Sequence, residues 1–152
     1  PIGLRCIEMA TRRRLRCTPL ALALVCSTGL LRAEPIEVQI QLSGLRNAQG
    51  RVLLAAHATR DSFPSQWDKA AAKLDVPAQP TLTLKLPASG RYALIVVHDE
   101  DSDGQMSKNL IGLPREGYIT GNNPKSLEFP RFDRSLVDLK DGGRVGLRLL
   151  YP

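Results

Sequence analysis

Apolar and polar residues alternate cleanly in two stretches of the chain. In the first, Ile36, Val38, Ile40 and Leu42 share one side and Glu37, Gln39 and Gln41 the other. In the second, Leu82, Leu84 and Leu86 face away from Thr81, Thr83 and Lys85. Successive side chains of a strand point to opposite faces, so this period of two predicts half-buried strands at Ile36–Leu42 and Thr81–Leu86. Each precedes a more continuously apolar run. Arg51–His57 follows a turn at Asn47–Gly50, and Arg91–His98 follows one at Pro87–Gly90. Ala93–Val97 is apolar on both faces, which predicts a central strand. Leu136–Leu139 and Val145–Tyr151 flank Asp141-Gly142-Gly143, whose glycines suit a tight hairpin. Six strands joined by short turns predict an antiparallel sandwich or barrel.

Two segments break the alternation. Between Phe63 and Leu74, the residues Trp67, Ala70, Ala71 and Leu74 fall at helical spacing, and Ser65 with Asp68 forms a capping box, which predicts a short helix with Trp67 as its core anchor. From Asp99 to Asp133 there is little periodicity and much Asp, Gly, Asn and Pro. Loops of this length tend to carry function or disorder. Leu110, Ile111, Leu113, Tyr118, Phe129 and Phe132 provide enough apolar side chains to predict an ordered excursion.

The N-terminal part has a different character. After Met9 come Arg12, Arg13, Arg14 and Arg16, then an apolar run from Leu20 to Leu31, with Ala33 suited to a cleavage site. A basic region, a run of about a dozen apolar residues and a small residue describe an export leader, and the run is too short to span a membrane. The expectation is therefore a leader over residues 1–33 and one domain over residues 34–152, exported to the periplasm or secreted, with no transmembrane segment. This division changes the charge picture. The formal charge of +6 belongs largely to the leader, which holds six of the 21 basic residues and one of the 15 acids. The remainder is close to neutral, which removes the main support for a nucleic-acid partner. Cys6, Cys17 and Cys26 also fall in the leader, so the domain is expected to have no disulfide and no thiol nucleophile.

The sharpest chemical signal follows the predicted central strand. Asp99, Asp101 and Asp103, with Gly104 after them, fit D-x-D-x-D-G, the first half of a calcium loop. Carboxylates at alternate positions can converge when the chain curls around a hard cation, and the glycine permits the curl. Position twelve of an EF-hand loop would be Leu110 rather than a bidentate Glu, and a strand leads in, so the segment is not an EF-hand. The missing ligands would come from elsewhere, with Asn109 and Glu116 the chief candidates and Asn122 and Asn123 behind them. The alternative is an acidic, solvated turn. His98 would brace the loop by placing a ring nitrogen on a carboxylate or carbonyl. His57 ends the second strand as His98 ends the fourth, so the two rings could meet if those strands are neighbours. No nucleophile elbow, zinc-protease helix or phosphate-binding glycine loop is present.

Taken together, Gly44-Leu45-Arg46-Asn47, Phe63-Pro64, Leu86-Pro87 with Gly90-Arg91-Tyr92, His98-Asp99-Glu100, Asp103-Gly104 and Ile111–Tyr118 (IGLPREGY) carry a resemblance. It extends over most of residues 36–151 and is to the bacterial exported family called domain of unknown function 2141. The segment around Leu86-Pro87 and Gly90-Arg91-Tyr92 is also similar to transthyretin-like and carboxypeptidase-regulatory-like sandwiches. The resemblance implies an all-β, transthyretin (prealbumin)-like antiparallel β-sandwich with one short helix and a long ordered loop. It implies a small envelope protein without an assigned reaction. The function expected is a non-catalytic binding or stabilising module. Its calcium loop would use Asp99, Asp101, Asp103, Asn109 and Glu116, with His98, Gly104 and Tyr118 bracing it. Tyr118, Phe129 and the asparagines would be presented to an envelope protein or a polysaccharide. The competing expectation is a metal-assisted hydrolase built on His98, Asp99 and Glu116.

Overall fold

The computed structural model describes residues 34–104 and 115–152, which belong to one compact unit, Arg32–Pro152. The expected leader, Asn109, Leu110 and the whole I-G-L-P motif (residues 111–114) lie outside the described residues. Eight strands are formed: β1 (Ile36–Ser43), β2 (Arg51–His57), β3 (Ala72–Pro77), β4 (Thr81–Leu86), β5 (Gly90–Asp99), β6 (Gly117–Thr120), β7 (Leu136–Leu139) and β8 (Arg144–Arg148). They make a three-stranded sheet, β4-β1-β8, and a five-stranded sheet, β3-β2-β5-β6, with β7 also on β5. The fold is an all-β sandwich.

The two alternating segments form β1 and β4, two of the three strands of the smaller sheet. Their apolar sides, Ile36, Val38, Ile40 and Leu42 with Leu82, Leu84 and Leu86, close on Val52, Leu54, Ala56, Leu94 and Val96 of the other sheet. Removing this apolar surface from water is the main force holding the two layers together. The five-stranded sheet is apolar on its outer face as well. Leu53, Ala55, Ile95, Val97 and Tyr118 form a second, smaller core there, roofed by Phe63, Trp67 and Ala70. This second cover explains why β2 and most of β5 read as continuous apolar runs rather than alternating ones.

Four expectations are corrected. Strand β8 pairs with β1 in parallel, so the sandwich is mixed rather than antiparallel. Strands β7 and β8 do not form a hairpin, because β7 joins β5 in one sheet and β8 joins β1 in the other. The glycine turn between them crosses the sandwich and docks on β1, where the Gly142 N–H donates to the Glu37 carbonyl at 2.9 Å and the Gln39 N–H to that of Gly143 at 2.9 Å. The helix predicted between Phe63 and Leu74 is replaced by a short 3-10 turn, Trp67–Lys69, and the start of β3, with another 3-10 turn, Arg60–Ser62, just before it. Ala72, Leu74 and Val76 alternate with Lys73, Asp75 and Pro77 in burial, and pairing along β2 outweighs the weak helical spacing. Among the described residues there is no α-helix. Finally, the excursion after Asp99 contains β6, a four-residue strand buried throughout, which pairs with β5 from Ile95 to His98.

Strands β2 and β5 are neighbours, yet the two histidines do not meet. The strands run antiparallel, with Val52 opposite His98 and His57 opposite Ala93. Five residues of strand separate the two positions, on the order of 17 Å. Alternation also sends His98 to the inner face, with Val52, and His57 to the outer face, with Ala55. His57 is fully buried beneath the roof, with Nδ1 2.9 Å from Ser62 Oγ and its ring edge-on to Phe63 at 5.5 Å. Ser62 Oγ donates to the Thr59 carbonyl at 3.1 Å, so it accepts from His57 Nδ1–H, and Nε2 has no hydrogen-bond partner among the described residues.

Burial lowers the pKa of His57 from its ordinary value of 6.5, since a charged ring would lose its hydration there. The unfolded chain therefore binds the proton first as pH falls. Stability contributed by the neutral ring is present above about pH 6.5 and is lost progressively below it. Urea midpoints are expected to fall between about pH 7.5 and about pH 5, and His57→Leu is expected to flatten that slope. An unchanged slope in the variant would show that the roof tolerates the charge.

Candidate metal centre

The centre begins where β5 stops. Asp99, its last residue, is fully buried on the outer face of the five-stranded sheet, the side shared with Val97. The chain then turns back through two left-handed residues, Ser102 (φ 60°) and Gly104 (φ 75°). Glycine adopts that conformation without strain. The turn brings main-chain donors onto the buried carboxylate: Gly104 N–H reaches Asp99 Oδ2 at 2.9 Å and Asp103 N–H reaches Oδ1 at 3.2 Å. Asp103 N–H also lies 3.3 Å from Asp101 Oδ1. One carboxylate oxygen from each of Asp99, Asp101 and Asp103 lies within 4.8 Å of the others, with Asp99 buried and the other two exposed. An all-oxygen, anionic donor set at this spacing could hold a hard divalent cation.

A neighbouring turn holds the loop from the side. Because β2 and β5 are antiparallel, the start of β2 at Arg51 lies opposite Asp99, and the turn before it must lie beside the acidic loop. Gly50 marks the closest approach, since a Cβ there would run into the Asp99 carbonyl oxygen and Glu100 Cα. Glu100 points into this turn. Arg46 grips it through Nε at 2.9 Å and through a second guanidinium nitrogen, and Asn47 Nδ2 donates to Oε1 at 2.6 Å. Hydrogen bonding to Arg46 holds the Glu100 carboxyl below the usual carboxylate range, against the opposing effect of burial. The Glu100 N–H donates in turn to Glu116 Oε1 at 3.2 Å.

His98 acts on the other side of the sheet. Its Nε2 lies 2.8 Å from the Gln49 carbonyl, which can only accept, and its Nδ1 lies 2.7 Å from the Tyr151 hydroxyl. In the singly protonated ring, Nε2 carries the proton and Nδ1 accepts from Tyr151. Tyr151 packs on Gly117, where any Cβ would strike its ring, and its pKa is raised by burial. The Arg46 guanidinium stacks over the same ring at 4.6 Å.

The structure thus gathers Asp99, Asp101, Asp103 and Gly104 in one loop. It does not bring His98 to them, because adjacent residues of a strand face opposite ways. The His98 ring is therefore separated from Asp99, the pairing that the hydrolase expectation needs. Glu116 is buried, but its carboxylate is not among the three clustered ones. Tyr118 is buried too, with its hydroxyl donating to the Glu128 carbonyl at 2.9 Å, so it is not presented to a partner. The clamp formed by Arg46, Asn47, Gln49 and Tyr151 has no periodic signature. The one available clue is topological, namely that the turn entering β2 lies beside the end of an antiparallel β5.

An all-β sandwich with an acidic turn at the end of its central strand defines the class. Residues 40–145 match the uncharacterized protein family conserved in bacteria known as DUF2141, and the chain belongs to that family. No curated protein and no solved structure gives a significant match. Among the described residues, no helix is long and apolar enough to cross a membrane.

The two arms of the clamp differ in what they protect. Tyr151→Phe leaves the buried His98 Nδ1 without its donor, and such a loss costs about 2 kcal/mol. Glu100→Gln removes an ion pair whose arginine is exposed, and its effect is expected to be small. Urea denaturation of both variants should rank them in that order, and equal losses would mean that Arg46 and Glu100 matter more than their exposure implies.

Proposed function

We propose that this chain is a non-catalytic envelope module, binding or stabilising, whose loop after β5 takes a calcium ion. The observation that carries the reading is the convergence of Asp99, Asp101 and Asp103 within 4.8 Å on a turn already shaped by main-chain bonds to Asp99. Calcium suits a flexible all-oxygen set better than magnesium, which demands near-ideal octahedral geometry. Asn109 and Glu116 are the further ligands in this reading, together with water or main-chain carbonyls. A leader over residues 1–33, export to the periplasm or beyond it, and a transthyretin-like arrangement of the sandwich belong to the same proposal. The β4-β1-β8 sheet packed on β3-β2-β5-β6 supports the last of these.

The hydrolase reading is weaker on chemical grounds. It needs a histidine at the ion, and both ring nitrogens of His98 are engaged by Gln49 and Tyr151 on the opposite face.

Thermal unfolding in EDTA, in millimolar calcium and in magnesium tests the proposal. A ligand at a hundred times its dissociation constant adds about 2.7 kcal/mol, which raises the midpoint of a domain of this size by roughly ten degrees. The rise is expected with calcium, to be smaller with magnesium, and to vanish in Asp101→Ala. An unchanged midpoint in calcium would reduce the acidic turn to a solvated one.

A further inference from the structure

Two large apolar side chains stand exposed among the described residues: Phe129, at 84%, and Leu127, at 36%. They are two positions apart in a stretch without regular secondary structure between β6 and the 3-10 turn at Phe132–Arg134. The residue between them is tethered. The Glu128 carbonyl accepts the Tyr118 hydroxyl at 2.9 Å, and the Glu128 carboxylate pairs with Arg134 at 3.5 Å. Just beyond, Phe132 packs edge-on against Phe63 of the roof at 6.1 Å. The segment is thus fixed on both sides of Phe129 while that ring is held out in water. Leaving a phenyl ring exposed forgoes burial that most phenylalanines obtain.

Within the segment itself, the charges left after ion pairs are removed have one sign. Both acids of the segment are matched, Glu128 by Arg134 and Asp133 by Arg60. Lys125 and Arg131, which flank the apolar pair, are exposed and form no ion pair among the described residues. Arg148 is exposed as well, and its N–H donates to Asn123 Oδ1 at 2.8 Å, which ties β8 to the same segment. Asn122 Oδ1 lies 3.4 Å from the Thr120 hydroxyl. The side-chain oxygens of both asparagines, expected to face an envelope protein or a polysaccharide, thus have partners within the protein.

We infer that Leu127 and Phe129, with Lys125 and Arg131 flanking them in the chain, form a docking tip for an anionic lipid surface. The rings and aliphatic carbons enter the headgroup boundary while the cations meet lipid phosphates. Few side chains are involved, so the attachment is reversible and salt-sensitive. The tip uses none of the acidic-loop residues, so its test is run in EDTA and does not depend on the calcium proposal.

The full chain is mixed with vesicles of phosphatidylglycerol and phosphatidylcholine, and with phosphatidylcholine alone, at low and high salt. Phe129→Ser is expected to lower partition into anionic vesicles by on the order of tenfold, without moving the thermal midpoint. Lys125→Gln with Arg131→Gln is expected to lower it by a similar factor at low salt and little at high salt. Phe129→Trp reports on the tip alone, whatever other segments touch the bilayer. The indole at position 129 should shift to shorter emission wavelengths and be quenched by brominated lipid, after subtraction of the Trp67 signal recorded in the parent. An unshifted, unquenched indole together with parent-like partition of Phe129→Ser would overturn the inference. So would an equal emission shift of that indole with neutral and with anionic vesicles.

Discussion

Strand β5 is the element on which the other parts depend. Strand β2 pairs along one of its edges from Ala93 to Asp99, and β7 and then β6 occupy the other edge in succession. Buried main-chain groups must find partners, and β5 meets that demand by being central over almost its whole length. Its side chains are covered on both faces, by the inter-sheet core and by the roof. A strand so placed has little freedom to shift register, since a slip of one residue would exchange His98 and the apolar ring of Tyr92 for residues of the opposite face. The position of Asp99 at its end is therefore set by the whole sandwich, not by the loop that follows.

That placement explains how one loop can be acidic and still ordered. Asp99 is fully buried, and Asp103 and Gly104 turn their N–H groups onto its side-chain oxygens. Hydrogen bonds to an ionised carboxylate are stronger than neutral ones and offset part of its lost hydration. Glu100, the one acid of the run that would crowd the cluster from the even-numbered side, is drawn away by Arg46 and Asn47. Alternate carboxylates face one another and the intervening one is neutralised, a division that the turn before β2 imposes from outside.

Much of the sandwich was legible because its strands obey simple periods. Ile36–Leu42 and Thr81–Leu86 each have one wet and one dry face, and alternation identifies such strands directly. The apolar character of Ala93–Val97 on both faces marked the centre. What was not legible depended on partners remote in sequence. The parallel pairing of β8 with β1 joins Gln39 to Arg144, and nothing local to either residue announces it. The glycine turn at Asp141–Gly143 has hairpin chemistry, yet it crosses between sheets because β1 supplies hydrogen bonds to it. β6 is four residues long and buried on both faces, so it shows neither alternation nor the length of a central strand. At the site, the aspartates were visible as a motif, whereas the roles of Arg46, Gln49 and Tyr151 exist only once β2 and β5 are side by side.

The arrangement also determines where ion affinity can come from. Asp99 already holds two main-chain donors, so its remaining lone pairs are aimed by the loop rather than free to search. Asp101 and Asp103 are exposed, and their repulsion is screened by water and salt. The loop thus has a buried end, at Asp99, and an exposed end, at Asp101 and Asp103. A cation entering such a site loses less free energy to chain ordering than one that must fold a disordered acidic segment, because the entropy of fixing the backbone has largely been overcome by the strand and the clamp. The base of the cluster is thus set by β5 and its neighbours rather than by the acidic residues themselves.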